Sequence, residues 1–476
     1  MPYLYFVLQK PPWRLLCLGH LVMTVVYFGG ILYWIPEVLV VYGSLSWFAA
    51  LVSYCLLLVG MSVVLAPFSV LVRWMVERSL IGALVCAPGF WMLTELCRNY
   101  FADGFPWGLL GYSQYPYGWI IQIADLGGVY LVSLLIVAVN CCFLASIQLR
   151  SVRPLFLLAL IFLGGNLYGF YRYSTGFNYS KSQVKTVLVQ PNIDLLGSNE
   201  YYAKKYFEDM PKFYREAVNN GADLVIFPEA PNPFFYGENF YFTTFWEKQV
   251  SELGAYLLFN TTSIEQETPN HYFNSAILLD SRGQQSYRYD KQRLVPFGEY
   301  VPMEDWLGAI FEPMVQEVGR YSAGRSREVA SLSNISFGTL ICYEGIFPEL
   351  SRGLVQEGAQ VLVNITNDSW YGRSAAPRQH LEMGAFRAIE NRRPFLRCAN
   401  SGYSAVIDPL GRINSELGLF EEGILETTIS GTLNHSIYSQ VGEWPNILVV
   451  MITGLLAATM WFRNAETYIN ERGKKK

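Results

Sequence analysis

Charged residues are scarce in this sequence. Asp, Glu, Lys and Arg together make up 16% of its 476 residues, whereas soluble globular domains carry about 25%. The net charge is −4, and the polar part of the chain contains no block of Lys and Arg. A nucleic-acid-binding protein needs a basic surface of that kind, so we exclude nucleic acid as a partner.

Cysteine and histidine are too few for a disulfide framework or an obvious metal centre. Most of the cysteines lie in or beside long apolar runs: Cys17, Cys55, Cys86, Cys97, Cys141 and Cys142. Only Cys342 and Cys398 remain in the polar part, which excludes a scaffold of many disulfides. The four histidines form no H-E-x-x-H motif, and no C-x-x-C spacing occurs. We therefore predict neither a metal nor a cofactor.

Hydrophobic residues, by contrast, make up 52% of the chain and are unevenly distributed. A bilayer core requires about 20 apolar residues per helix, and the runs of that length predict five membrane spans before the polar part and one after it. They cover roughly residues 14–33, 45–67, 79–97, 118–147, 154–171 and 444–462. This pattern predicts a transmembrane domain at 1–178, a polar domain at 179–435, and a transmembrane helix with a basic tail at 436–476.

Lys and Arg fall mainly on one side of these spans. If the N-terminus is cytoplasmic, that side receives Lys10, Arg14, Arg73, Arg78, Arg150, Arg153, Arg463, Arg472 and the lysines at 474–476. Short loops on the other side carry Arg98 and Arg172. Because cytoplasmic loops retain positive charge during insertion, we expect the polar domain outside the cytoplasm. The first apolar run lacks a small-residue cleavage site, so we expect it to remain as an anchor.

The polar domain alternates apolar strand-like runs with amphipathic segments. The runs are "KTVLVQPN", "ADLVIFPEA", "AYLLFNTTS", "NSAILLDSRG", "SFGTLICYE" and "AQVLVNITND". Continuous apolar runs suit strands buried on both faces, and residues 202–218 and 377–391 have the spacing of helices. This alternation favours an α/β sandwich. Asp408-Pro409-Leu410-Gly411 has the composition of a turn, so we expect a hairpin that closes the domain.

Three ionisable residues stand near the ends of predicted strands, where α/β proteins commonly place reactive groups. They are Glu229 in "IFPEAPNPF", Lys291 in "YRYDKQRLVPFGEYVP" and Cys342 in "GTLICYEGIFPEL". A thiol reacts as the thiolate; an ammonium group lowers its pKa and a carboxylate accepts its proton. Together the three would supply a base, an oxyanion stabiliser and a nucleophile.

The order and spacing of these residues resemble the carbon–nitrogen hydrolase, or nitrilase, superfamily. Lys291 follows Glu229 by 62 residues, and Cys342 follows Lys291 by 51. The resemblance implies an α-β-β-α sandwich with Glu229, Lys291 and Cys342 as its catalytic residues. Five strings further resemble the apolipoprotein N-acyltransferase family: "LVPFGEYVP", "ICYEGIFPEL", "NITNDSWYG", "GYSAVIDPLGR" and, among the spans, "GFPWGLLGYSQ".

That second resemblance implies a reaction and its partners. The family transfers an acyl chain from a phospholipid, through a cysteine thioester, to the N-terminal amine of a diacylated apolipoprotein. It also implies supporting roles for Glu299, Tyr343 and Glu344, and a catalytic domain on the extracytoplasmic face of a bacterial plasma membrane. The aromatic segment around Trp107 lies on that same predicted side, and we expect Trp107 to line the route of the lipid.

Several alternatives compete with this interpretation. Free cysteine is commonly a buried packing residue, which is our expectation for Cys398 and the alternative for Cys342. His380 offers a rival Cys/His pair, although "PRQHLEMGAF" favours a structural or surface histidine. The same triad could pass the acyl group to water, as in a membrane-tethered amidase or nitrilase. A transporter or receptor with a ligand-binding nitrilase-like domain is a third alternative, against which the scarcity of charge within the spans argues.

Overall fold

The computed structural model describes residues 1–100, 103–264, 271–300, 321–332 and 334–473, with side chains as far as Phe462. The described chain forms two compact units. One comprises Met1–Pro36, Ser46–Gly176 and Gln440–Lys476, and the other Glu37–Leu45 and Phe177–Ser439. The predicted lysines at 474–476 lie outside the described residues, and the domain limits drawn from the sequence stay a prediction.

The first unit is helical. Its α-helices are Pro2–Leu8, Trp13–Ile31, Trp47–Val76, Leu80–Tyr100, Ala124–Leu149, Arg153–Ser174 and Trp444–Gly473, with 3-10 turns at Leu110–Gln114 and Ile120–Ile123. Within the described ranges, six helices are long and apolar enough to span a membrane. They are Trp13–Ile31, Trp47–Val76, Leu80–Tyr100, Ile120–Leu149, Arg153–Ser174 and Trp444–Phe462, which confirms that each predicted span is an apolar helix of sufficient length.

Local sequence explains where two of these helices start or bend. The Ser46 side chain accepts a hydrogen bond from the Ala49 N–H and so caps the helix Trp47–Val76. Gly127 and Gly128 have non-helical backbone angles inside Ala124–Leu149. The Asn446 side chain donates to the Gly127 carbonyl at 2.7 Å, which satisfies a backbone acceptor left free by that kink.

The second unit is an α/β sandwich of two six-stranded sheets within the described residues. The strands are β1 Val184–Gln190, β2 Leu224–Ile226, β3 Tyr256–Ile264, β4 Tyr272–Leu279, β5 Gln285–Asp290, β6 Ala330–Leu332, β7 Ile335–Ile341, β8 Val361–Thr366, β9 Phe395–Ala399, β10 Ser404–Ile407, β11 Ile413–Leu417 and β12 Gly423–Ile429. The sheets have the orders β12-β1-β2-β3-β4-β5 and β11-β10-β9-β8-β7-β6. At the centre of each sheet three strands run parallel, β1-β2-β3 and β7-β8-β9.

Helices complete the sandwich on both sides. The α-helices of this unit are Asn199–Lys204, Met210–Asn219, Phe240–Leu253, Pro348–Gln356, Ala376–Asn391 and Ile437–Val441. A π turn lies at Lys205–Asp209, and 3-10 turns lie at Cys342–Ile346 and Asp368–Tyr371. One further helix, Ile35–Val41, begins in the first unit and ends in the second. Apolar side chains from both sheets, including Leu188, Leu258 and Val363, form the inner core. Met210–Asn219 and Phe240–Leu253 pack outside the first sheet, and Pro348–Gln356 and Ala376–Asn391 pack outside the second. The predicted α-β-β-α architecture is confirmed.

The end of the domain differs in one respect from the expectation. β10 and β11 form the predicted hairpin across Asp408–Gly411, where the Gly411 N–H donates to the Asp408 carbonyl at 2.8 Å. The hairpin is not the last element, because β12 follows and pairs antiparallel with β1 of the other sheet. β12 has an exposed acid, and its apolar residues other than Ile429 are only partly buried, so its sequence carries little of the apolar signal that marks the central strands.

Candidate active site

Cys342 begins the 3-10 turn that follows β7. Its φ is +51°, a left-handed conformation that is sparsely populated by residues other than glycine and costs about 1–3 kcal/mol. Such a conformation persists only where the surroundings fix it, and it turns the chain sharply at the end of the strand. The residue is 5% exposed and borders the core between the sheets.

Lys291 follows β5 and is almost fully buried, with 1% of its side chain exposed. Its ammonium lies 2.8 Å from Glu299 Oε1 and 3.6 Å from Glu229 Oε1. Burial acts to lower the pKa of Lys291, but the charges of Glu299 and Glu229 outweigh it and hold the pKa above its ordinary value. The ammonium is therefore charged at neutral pH and fixed between two carboxylates.

Glu229 follows β2 after Phe227 and Pro228 and is mostly buried, with 14% of its side chain exposed. Its Oε1 accepts a hydrogen bond from Asn274 Nδ2 at 2.9 Å. In the part of the chain that the structure describes, no hydrogen-bond donor reaches the buried Oε2. This oxygen is thus available to accept a proton.

Asn274 connects the two carboxylates and was missed by the sequence analysis. Its Nδ2 also donates to Glu299 Oε1 at 2.9 Å, while its Oδ1 accepts from Asn260 Nδ2 at 2.7 Å. The Asn260 contact fixes the orientation of the amide, so that its donor faces the acids. One asparagine in the strand "YFNSAILL" gives no signal of this role in the sequence, because the contacts join β3, β4 and two loops.

Two of the residues predicted to support the site are Glu299 and Glu344. Their carboxylates accept hydrogen bonds from backbone N–H groups as well as from side chains. Glu299 Oε2 accepts from the Val295 N–H at 2.8 Å. Glu344 is fully buried and accepts from the N–H groups of Gln292 at 2.6 Å and Ile341 at 2.8 Å. It therefore ties the segment after Lys291 to the turn at Cys342. Tyr343, the third predicted supporting residue, is buried, and its ring packs edge-on against Phe347 at 5.0 Å.

The pKa of the Cys342 thiol lies above its ordinary value, although the sequence led us to expect a lowered one. Burial raises its pKa, and the charge of Glu229 raises it further. The charge of Lys291 and hydrogen bonds involving Thr366 and Asn367 lower it by less. Glu229 and Lys291 therefore both shift the pKa of the thiol. Because the net shift favours the protonated thiol, the proton leaves while the sulfur attacks and not before.

His380 is fully buried and contacts the backbone of Cys342. Its Nε2 lies 3.1 Å from the Cys342 carbonyl oxygen, and its Nδ1 lies 3.1 Å from Asp368 Oδ1. Burial and the charge of Arg397 lower the pKa of His380. Since Nε2 is engaged by a carbonyl, the geometry does not support the rival Cys/His pair. Cys398 is a buried packing residue, as expected, whose thiol donates to the Val189 and Ile226 carbonyls.

Trp107 lies in the first unit and is only 1% exposed, with its ring 5.2 Å from that of Trp34. Glu95, buried in the same unit, accepts from the Leu110 N–H at 2.8 Å and from Trp91 Nε1 at 3.0 Å. The aromatic segment is therefore packed and hydrogen-bonded in this conformation. The predicted contact of Trp107 with lipid stays a proposal.

Glu344 predicts a pH dependence of stability. Burial raises its pKa from 4.5 to about 7, although hydrogen bonds such as that from the Ile341 N–H and the charge of Lys291 oppose the shift. A carboxyl with a higher pKa in the folded state binds its proton more tightly there. The free energy of unfolding therefore falls by up to about 3 kcal/mol as pH rises from 4.5 to about 7. We expect the thermal midpoint of the wild type, relative to E344Q, to fall by several degrees between pH 5 and pH 8. If the thermal midpoints of the wild type and E344Q differed by the same amount throughout that pH range, Glu344 would not have the raised pKa.

The buried ion pair behind the site predicts a large loss of stability. Asp368 and Arg397 have no exposed side-chain surface and lie 2.6 Å apart. Burial opposes ionisation, but Arg397 and His380 lower the pKa of Asp368 to about 2. D368N leaves a buried guanidinium without its counter-charge, which costs about 3–5 kcal/mol and lowers the thermal midpoint in detergent by roughly 10 °C. The half-exposed pair of Arg378 and Glu416 is the control, since E416Q should cost less than about 1 kcal/mol. Equal shifts in the two variants would refute the prediction.

Comparison with protein families and with related sequences agrees with these observations. Residues 186–436 match the carbon-nitrogen hydrolase family, and residues 1–142 match the apolipoprotein N-acyltransferase N-terminal domain. The apolipoprotein N-acyltransferase of Geobacter metallireducens is 34% identical over 466 residues, covering 94% of this chain and 88% of that protein. The enzyme of the same name from Allorhizobium ampelinum is 32% identical, covering 85% and 78%. Among solved structures, Saccharomyces cerevisiae Nit3, a nitrilase-superfamily member, is 19% identical with a TM-score of 0.42, covering 56% of this chain and 97% of that one.

Proposed function

This chain belongs to the apolipoprotein N-acyltransferase family, whose activity is lipoprotein N-acylation, and we propose that it performs this acylation in two steps through a thioester on Cys342. The acyl donor is a membrane phospholipid, and the acceptor is the N-terminal amine of a diacylated apolipoprotein. The observation that carries the proposal is the buried ion pair of Lys291 and Glu229, together with the hydrogen bonds by which Glu344 ties the segment after Lys291 to the turn at Cys342. No cofactor enters the reaction.

In the first step Cys342 takes the acyl chain. As the sulfur attacks the ester carbonyl carbon, the thiol proton passes to Glu229, whose Oε2 has no donor among the described residues. The carbonyl oxygen becomes an oxyanion, which the ammonium of Lys291 stabilises. The carbon–oxygen bond of the ester then breaks, and the departing alkoxide takes the proton from Glu229. The products are a thioester and a lysophospholipid.

In the second step the acyl chain passes to nitrogen. The amine of the apolipoprotein attacks the thioester carbonyl carbon, and Glu229 accepts the proton that the nitrogen loses. Lys291 again stabilises the oxyanion. The carbon–sulfur bond breaks, and the departing sulfur of Cys342 recovers the proton from Glu229. An amide forms and the resting thiol returns, so the cycle needs no further reactant.

The other predicted residues support this chemistry. Glu299 holds the Lys291 ammonium at 2.8 Å, and Glu344 joins the lysine segment to the cysteine turn. Tyr343 supports the same turn by packing. We further propose that Trp107 lines the route of the lipid, and the charge bias of the loops supports a catalytic domain on the extracytoplasmic face. Both substrates are held in the bilayer by their acyl chains, which is the reason that the catalytic domain is tethered there.

The test uses the purified full-length protein in phospholipid nanodiscs with a synthetic diacylated lipopeptide. We expect triacylated peptide and lysophospholipid to form in equal amounts, measured by mass spectrometry. The same lipopeptide with an acetylated amino terminus is the matched control and should give no triacylated product. Release of free fatty acid at one rate with or without the peptide would instead identify a hydrolase. Absence of both products would indicate a binding protein.

A further inference from the structure

The strained backbone of Cys342 is held by side chains behind the turn, on the carbonyl side. The Cys342 carbonyl oxygen lies 3.1 Å from His380 Nε2 and accepts a hydrogen bond from Asn364 Nδ2 at 3.2 Å. A carbonyl oxygen only accepts hydrogen bonds, so Nε2 carries a proton. Two donors thus fix the direction of this carbonyl. Since the peptide unit is planar, they also fix the backbone from which the thiol projects.

A second layer orients those two donors. Arg397 Nη1 donates to Asn364 Oδ1 at 2.8 Å, which turns the Asn364 amide so that its Nδ2 faces the carbonyl of Cys342. Arg397 Nη2 donates to Asp368 Oδ2 at 2.6 Å and lies 3.1 Å from His380 Nδ1. Asp368 Oδ1 lies 3.1 Å from the same nitrogen. The Nδ1 atom of His380 thus contacts both Arg397 and Asp368, which fixes the ring, while Nε2 contacts the carbonyl of the turn.

We propose that His380, oriented by Asp368 and Arg397, is a positioning residue that holds the Cys342 turn so that the thiol faces Glu229 and Lys291. This inference rests on the proposed function for its kinetic effect. The left-handed backbone of Cys342, with φ at +51°, needs such a contact. A residue in this conformation relaxes to a more favourable one unless its surroundings hold it in place. A displacement of about 1 Å at a reacting atom costs on the order of 100-fold in rate.

A role of His380 as proton acceptor predicts different behaviour. As a base, the imidazole needs a free nitrogen that reaches the thiol, whereas Nε2 is occupied by the carbonyl of Cys342. Glutamine places an amide N–H where Nε2 stands but cannot take up a proton near neutral pH. H380Q therefore preserves a positioning contact and abolishes an acid–base function, while H380A removes both.

The test compares H380A and H380Q in the full-length protein, with H271A as the control because His271 is exposed and pairs only with Ser322 among the described residues. The first readout is the rate of acyl-adduct formation on Cys342 from phosphatidylethanolamine in nanodiscs, measured by intact mass. We expect a loss of about 10- to 100-fold in H380A, recovery to within about threefold of wild type in H380Q, and no change in H271A. H380Q as slow as H380A, or H380A within threefold of wild type, would overturn the proposal.

The second readout is independent of acyl transfer. Alkylation of Cys342 by iodoacetamide, followed across pH, reports the surroundings of the thiol whether or not the protein acylates anything. We expect the alkylation rate to change at least threefold in H380A and to return toward wild type in H380Q. If the wild type forms no acyl adduct but this alkylation pattern holds, the proposed function fails and the positioning role stands. An unchanged alkylation profile in H380A would refute the positioning role.

Discussion

Replacing Cys342 with serine will abolish acyl transfer while leaving the protein folded. Serine fills nearly the same volume, and the site is 5% exposed, so the packing changes little. The hydroxyl is a far weaker acid than the thiol, and Glu229 cannot activate it to the same degree. Removing a nucleophile closes the covalent route, so we expect turnover to fall by at least about 10⁴-fold. The measurement is triacylated lipopeptide formed per minute by protein in nanodiscs.

Cys398 is a matched control for that substitution. It is a second fully buried thiol in the same core between the sheets, and it donates to backbone carbonyls. A serine hydroxyl keeps those hydrogen bonds, so we expect C398S to retain activity within a few-fold of wild type. If C342S acylated the lipopeptide at a comparable rate, the sulfur of Cys342 would not be the acyl carrier.

Replacing Lys291 with methionine will produce the second large effect. Methionine preserves most of the length and volume of the lysine but removes its charge, and the position is 1% exposed. Two consequences reduce the rate. The oxyanion loses its stabilising charge, which is worth about 10²- to 10³-fold, and the thiol loses the charge of Lys291 that lowers its pKa. We expect adduct formation to slow by at least about 10³-fold.

The measurement for K291M is the single-turnover rate of adduct formation, accompanied by the thermal midpoint to verify folding. Lys212 provides the control, because its side chain is 67% exposed and pairs with Asp209 on the surface. K212M should keep both the rate and the midpoint of the wild type. A folded K291M protein that formed the adduct at more than a tenth of the wild-type rate would remove Lys291 from the catalytic residues.

Much of the fold follows from local patterns in the sequence. Long apolar runs indicate the candidate spans, and β8 and β9 have no exposed position, which is why their apolar runs are continuous. β12 could not be predicted in this way, because its role depends on pairing with β1 more than 200 residues earlier in the chain. Likewise, residues 37–45 follow the first predicted span, yet they belong to the second unit. Tyr42 there donates to the Ser369 carbonyl at 3.1 Å, a contact that no sequence period indicates.

The candidate site shows the same division. The sequence indicated Glu229, Lys291 and Cys342, because they follow predicted strands at a spacing that resembles the nitrilase superfamily. Asn274 and Arg397 carry no such mark, and Asp368 lies in the string "NITNDSWYG" without a predicted role, because the roles of all three arise from tertiary contacts between separate strands and turns. The raised pKa of Cys342 was also unpredictable. Sequence indicated the charged neighbours, but burial, the larger cause, is a property of the folded domain.

The most direct test of the two-step reaction is the mass of the protein after incubation with phospholipid in the absence of any acceptor. We expect a gain of one acyl chain, located by tandem mass spectrometry on the peptide that carries Cys342. Adding the diacylated lipopeptide should then restore the original mass faster than buffer alone does. Turnover by a protein that never carries an acyl group on Cys342 would contradict the central claim.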